Sequence, residues 1–186
     1  MKTLISDYTA KLSEQLQLIE STDITVLADA LLQAVREGRH VFLCGNGGSA
    51  GNAVHLANDF LYGIAPDGNA MKVEALSANQ AVLTCLGNDI GYDKIYSHQL
   101  KVKAQAGDVL IVLSGSGNSP NIVAALEMGK QLEMQTFAIL GYSGGKAKAL
   151  AQYPLHFAID DMQISEDLQI VIGHMLMRHL CAELQQ

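Results

Sequence analysis

Cysteine is scarce in this 186-residue chain, and its three copies, Cys44, Cys85 and Cys181, are widely spaced and odd in number. That pattern argues against a disulfide framework. Basic residues are also few: 12 Lys and Arg face 19 Asp and Glu, for a net charge of −7. Such a balance argues against direct nucleic-acid binding and repels phosphorylated ligands at long range, so any phosphate has to be captured locally. No apolar run reaches the roughly 18 residues of a membrane span. At the start of the chain, Lys2 and Asp7 bracket only a short apolar patch, with no signal-peptide pattern. The expectation is a cytoplasmic protein without membrane contact.

What is present points to a glycine-turned α/β protein: 17 Gly against 3 Pro, and 49% hydrophobic residues against 17% charged. The length suits a single domain with a sizeable core. Leu4, Tyr8, Leu12, Leu16 and Ile19 step through a long amphipathic helix, and Leu27, Leu31, Ala34 and Val35 through a second that Gly38 closes. Short apolar runs at His40–Leu43, Lys72–Leu76, Asp108–Leu113, Thr136–Leu140 and Leu155–Ile159 read as strands. Helical stretches lie around 92–104, 119–132 and 165–183, and Pro66-Asp67-Gly68-Asn69 reads as a surface turn. Alternation of this kind predicts a doubly wound, mainly parallel sheet flanked by helices, a flavodoxin-like sandwich. Two N-terminal helices (1–38) would precede an α/β core (39–186).

Two loops stand out. "CGNGGS" at 44–49 leaves the first strand and enters a helix whose apolar stripe is Ala53, Leu56, Ala57 and Phe60. "LSGSGNSP" at 113–120 leaves another strand and enters a helix, with Asn118 or Ser119 as N-cap. Either loop alone reads equally as a tight turn. Paired after strands, they read as anion sites, because free backbone N–H groups and helix dipoles point out of such turns. In open α/β sheets both would converge beyond the carboxyl ends of the strands.

These loops, with His55, "GNDIGYDKIY" at 87–96, "GYSGGK" at 141–146 and "GHML" at 173–176, resemble the sugar isomerase (SIS) domain family, and within it the phosphoheptose isomerases. The resemblance spans nearly the whole chain. It implies that Asn46, Gly47, Gly48, Ser49, Asn88, Asp89, Ser114, Gly115, Ser116, Ser119 and Glu166 line a sugar-phosphate site, with the serine loop on the phosphate. It also implies a homotetramer whose sites are shared between subunits. The implied chemistry is aldose–ketose isomerisation of sedoheptulose 7-phosphate for cell-surface heptose synthesis. That reaction needs a base for a carbon-bound proton and an electrophile for the enediolate.

In metal-binding members of the family, a His and a Glu on one helix join a Gln and a His on the last. The matching positions are His55, Asp59, Glu166 and His174, so Asp59, Glu166 and His174 are also the implied catalytic groups. Asp59 replaces the Glu and Glu166 the Gln, which shortens one acid and adds another. Either Glu166 takes the base's role or both carboxylates bind metal. Two His and two carboxylates suit zinc first, with Mn²⁺ or Fe²⁺ also compatible. His55 and Asp59, four apart, share a helix face, whereas Glu166 and His174 are two turns apart and offset by about 80°. Gly63 stands where the isomerases carry an Arg, which leaves the sugar open.

Several residues carry blander alternatives. A His/Asp pair at i, i+4 is also a common surface hydrogen bond, and His174, among Ile170, Ile172, Met175 and Leu176, also reads as a buried, satisfied histidine. His156 and His179 read as structural, Met175, Met177 and Leu180 as core or interface, and Cys44 as a small buried hydrophobe. A second functional class is a non-catalytic SIS protein that binds a partner such as the replication initiator. A sugar-phosphate-sensing regulator ranks lower, since no helix-turn-helix segment precedes the domain.

Overall fold

Val41 and Leu43 enter one hydrophobic cluster, while Phe42 and Cys44, between and beside them, enter another. A strand apolar on both faces requires cover on both, and that requirement sets the architecture. In the computed structural model, which describes residues 1–19 and 21–185 and their side chains except those of 21–23, five strands form one parallel sheet. They are β1 (His40–Gly45), β2 (Lys72–Ala75), β3 (Val109–Ser114), β4 (Gln135–Leu140) and β5 (Tyr153–His156). Their order is β2-β1-β3-β4-β5. The expected doubly wound sheet is the one observed.

The helices are α1 (Lys2–Leu18), α2 (Ser21–Glu37), α3 (Gly48–Asn58), α4 (Gln80–Asp89), α5 (Ser97–Lys103), α6 (Pro120–Gln131), α7 (Gly145–Leu150) and α8 (Met162–Leu184). Residues of α2, α3 and α8 pack with Val41, Leu43, Val109, Ile111 and Leu113 on one face. Residues of α5, α6 and α7 pack with Phe42, Cys44, Leu110 and Val112 on the other. Helix α1 lies against α8, held at its rim by Tyr8 donating to Asp167 (2.5 Å) and by Lys11 beside Asp161 (3.5 Å).

Local sequence explains the element ends. Gly38 takes φ +67 after α2, and the N–H of Arg39 returns to Ala34 at 2.8 Å, a glycine C-terminal cap. Asp161 caps α8 by accepting from the Ile164 N–H at 3.2 Å, and Asn79 caps α4 by accepting from Val82 at 3.1 Å. Three departures from the sequence reading appear. The stretch 92–104 divides into a 3₁₀ turn (Tyr92–Lys94) and α5; β5 begins two residues earlier than expected and ends at His156; α4 and α7 were not anticipated. Helix α4 contains no buried residue, so no apolar stripe announces it.

Candidate functional site

Strand β1 pairs with β2 on one side and β3 on the other, so the connections from β1 and β3 leave in opposite directions. This is the switch point of an open α/β sheet, where a crevice opens beyond the strand ends. The glycine loop follows β1 and the serine loop follows β3, and together they line a cavity of about 260 Å³. Asn46, Gly47, Gly48, Ser49, Ser114, Gly115, Ser116, Ser119 and Glu166 all face it, with Met162 of α8. Asn88 and Asp89 do not: they sit exposed at the end of α4, where Asn88 donates to Asp89 at 2.8 Å.

In the serine loop, the Ser114 Oγ accepts from the Gly117 N–H (3.0 Å) and the Ser116 Oγ from Asn118 (3.3 Å). Ser119 is the N-cap of α6 by backbone position, with Pro120 at the first helical turn, yet its hydroxyl makes no capping bond. That hydroxyl remains available to a ligand at the positive end of the helix. The 141–146 loop braces this arrangement, since Ala147 N–H reaches Gly117 O (2.9 Å) and Lys146 N–H reaches Asn118 Oδ1 (3.1 Å).

The glycine loop is occupied differently. Gly47 takes φ +57 to start α3, and a Cβ at Gly48 would overlap both carboxylate oxygens of Glu166. Glu166 therefore lays its carboxylate on the N-terminal turn of α3, where the helix dipole favours an anion. Asn46, also at the cavity, exchanges two 2.8 Å amide bonds with Asn121 and accepts from Tyr92 at 3.1 Å. The Tyr96 hydroxyl donates to the Gly45 carbonyl, and burial of that phenol pushes its pKa up.

Further along α3 and α8, three of the four expected metal-binding residues converge. The Nε2 atoms of His55 and His174 lie 2.9 Å apart, and the Asp59 Oδ2 lies 3.3 and 3.4 Å from them. Metal–ligand bonds of 2.0–2.1 Å at tetrahedral angles place ligand atoms about 3.3 Å from each other. The donor set and its spacing thus fit one divalent ion. Asp59 opens a π-helical turn (Asp59–Gly63) at the end of α3, a distortion common at functional sites.

Glu166 is not in this cluster. It lies eight positions before His174, about 12 Å of helix rise, and its carboxylate takes the α3 N-terminus instead. The buried-histidine alternative at 174 also fails, since that side chain is 48% exposed. His156 is structural as expected: its Nδ1 faces Lys148 Nζ at 3.0 Å and its Nε2 faces the Tyr142 carbonyl at 2.9 Å. Cys44 is fully buried, and desolvation raises its thiol pKa. At Gly63 the side-chain space is taken by the Met177 methyl. Asn52, Asn121, Tyr92 and Gln169 were not singled out in the sequence; Tyr92 lies within the 87–96 motif, and Gln169 is a lone amide in a helical stripe of buried positions.

A parallel sheet with a glycine loop and a serine loop astride its switch point defines an α/β protein with a ligand crevice at its strand ends. The SIS domain family model matches residues 6–141, and the chain belongs to that family. Within it, the chain is 37% identical to a phosphoheptose isomerase of Clostridium acetobutylicum over 82% of this chain and 78% of that one. It is 34% identical to a phosphoheptose isomerase of Pelobacter propionicus over 97% and 96% of the two chains. The solved phosphoheptose isomerase of Neisseria gonorrhoeae superimposes with a TM-score of 0.89 at 26% identity, over 97% of this chain and 96% of that one.

Proposed function

We propose that the protein is an aldose–ketose isomerase that interconverts sedoheptulose 7-phosphate and a heptose 7-phosphate for cell-surface heptose synthesis. The carrying observation is the convergence of His55 of α3, Asp59 of the π turn that follows it and His174 of α8, the helix pair that borders the loop cavity. The substrate is suggested by the relatives' shared name. Nothing comparable favours a non-catalytic, partner-binding role.

In this reading the phosphate goes to the serine loop. The N-terminus of α3 already holds the Glu166 carboxylate, whose charge repels a second anion, whereas the N-terminus of α6 offers the free Ser119 hydroxyl beside Ser116. His55, Asp59 and His174 would hold a divalent ion, zinc first by donor type. Such an ion supplies Lewis acidity, polarising the substrate's carbonyl and adjacent hydroxyl oxygens. Asp59 Oδ2 lies against both imidazoles and Glu166 lines the loop cavity, so these two carboxylates are the candidates for taking the carbon-bound proton and returning it to the neighbouring carbon.

The assembly in this reading is a cytoplasmic homotetramer. Met1, Leu4 and Ile5 at the start of α1, and Val54, Leu61, Tyr62 and Met175, are large apolar side chains left exposed on one chain. They suit burial by neighbouring copies. Asn88 and Asp89, which do not line the cavity of their own chain, would enter a neighbour's site. The test is turnover of sedoheptulose 7-phosphate by the purified protein, followed as appearance of the aldose phosphate. Binding of the sugar phosphate without turnover would move the protein to the non-catalytic class.

A further inference from the structure

Between the glycine loop and α8 runs a chain of amides whose polarity has one solution. The Glu166 backbone carbonyl can only accept, so the Asn52 atom 3.0 Å from it is the amide nitrogen Nδ2. The same nitrogen lies 2.9 Å from Gln169, whose facing atom must then be Oε1. That turns the Gln169 Nε2 toward Ser49, where it donates to Oγ over 3.1 Å. Having accepted this bond, the Ser49 hydroxyl keeps its proton for another acceptor, and among the described residues no group takes it. Ser49 is only 4% exposed, and the surface it presents lines the loop cavity.

Gln169 itself is 1% exposed and sits among Ile164, Leu168, Ile172 and Leu176 on the buried side of α8. An amide there is costly unless both ends are bonded, and here both are. An apolar residue would complete the stripe equally well, so packing alone does not account for glutamine at this position. The direction of the chain does: it runs from a fixed acceptor on the helix that carries Glu166 to a hydroxyl at the cavity wall.

We propose that Gln169 is a positioning residue that, with Asn52, turns the Ser49 hydroxyl proton into the loop cavity, where it donates to an oxygen of the bound sugar phosphate. The identity of that ligand rests on the isomerase reading above. A hydroxyl held as a donor meets the ligand without reorienting, which is the advantage of preorganised polar groups. Ser49 touches the ligand, and Gln169 acts through it.

The test is a double-mutant cycle on sedoheptulose 7-phosphate affinity, measured by calorimetry on the intact assembly. Ser49→Ala weakens binding by roughly tenfold, the size of one hydrogen bond to a charged or polar ligand. Gln169→Met, which keeps the length and removes the amide, loses most of the same factor. The double variant is no weaker than Ser49→Ala alone, because the second change removes nothing further. A purely structural role for Gln169 would lower thermal stability and leave affinity intact, or give losses that multiply; either result overturns the proposal. Should Gln169→Met fail to fold, Asn52→Ala removes the orienting donor from a half-buried position and must show the same non-additivity with Ser49→Ala. A wild-type protein that neither binds nor converts the sugar phosphate overturns the isomerase reading and this proposal together. Wild-type turnover with an additive cycle overturns the Gln169 role alone.

Discussion

Two helix-interior glycines provide a controlled test of how α3 and α8 are held. A Cβ at Gly173 would fall on the Cγ and both methyl carbons of Leu56, which is itself buried on α3, whereas a Cβ at Gly51 meets nothing within 4 Å. Gly→Ala gains about 1 kcal/mol of helix propensity at either position. At Gly51 that gain stands alone, and the variant is more stable. At Gly173 it is set against overpacking of a close helix crossing, about 1–3 kcal/mol. The propensities cancel between the two variants, so their stabilities differ by about 1–3 kcal/mol, or roughly 2–12 °C in a chain of this size. Gly173 also adjoins His174, so spreading the helices separates the imidazoles that now stand 2.9 Å apart. Metal affinity in Gly173→Ala should fall about tenfold or more, while Gly51→Ala retains it. Thermal unfolding at one fixed protein concentration, with metal titration on the same samples, reads both effects. Equal melting temperatures and equal metal affinities would refute the reasoning.

The roles of the two acids separate by substitution. If Glu166 moves the proton, Glu166→Gln lowers kcat by orders of magnitude with little change in KM, and Asp59→Asn mainly weakens metal binding; the reverse pattern in steady-state kinetics transfers the base's role to Asp59. Ser116→Ala with Ser119→Ala should weaken sugar-phosphate affinity by about 10- to 100-fold without altering assembly mass, and unchanged affinity in calorimetry would move the phosphate off this loop. Tyr8 gives a pH prediction. Its hydrogen bond to Asp167 raises the phenol from 10.0 to about 12 in the folded chain. The folded state therefore binds the phenolic proton more tightly than the unfolded state, and the stabilisation present below pH 10 is lost as pH rises toward about 12. Tyr8→Phe should show a smaller loss of stability over that window in alkaline denaturation, and an identical pH profile would contradict the assignment.

Strands β1, β3 and β4 were legible because burial on both faces leaves an uninterrupted apolar run. Strand β5 was displaced because it is an edge strand: its extent is set by pairing of Tyr153–His156 with Phe137–Leu140, while the apolar Phe157 and Ile159 lie beyond the paired segment. Helix α4 escaped notice for want of a buried face, and the π turn at Asp59–Gly63 because a widened turn follows neither period. His55, Asp59 and His174 could be read from spacing and resemblance, and they converge. The position of Glu166 could not. Helical geometry gives its rise and offset from His174, but where its carboxylate settles depends on a neighbouring helix terminus and on the missing Cβ of Gly48. Gln169 illustrates the same limit: its burial follows the helical period, and its partners Asn52 and Ser49 are set only by how α3 crosses α8.

The most direct measurement follows metal content and sedoheptulose 7-phosphate turnover in one preparation through chelation and reconstitution. Turnover should disappear as the metal is removed and return as about one divalent ion per chain is restored. In parallel, His55→Ala and His174→Ala should neither bind the ion nor turn over. Full turnover in the chelated protein, or in either histidine variant, would contradict the metal's role.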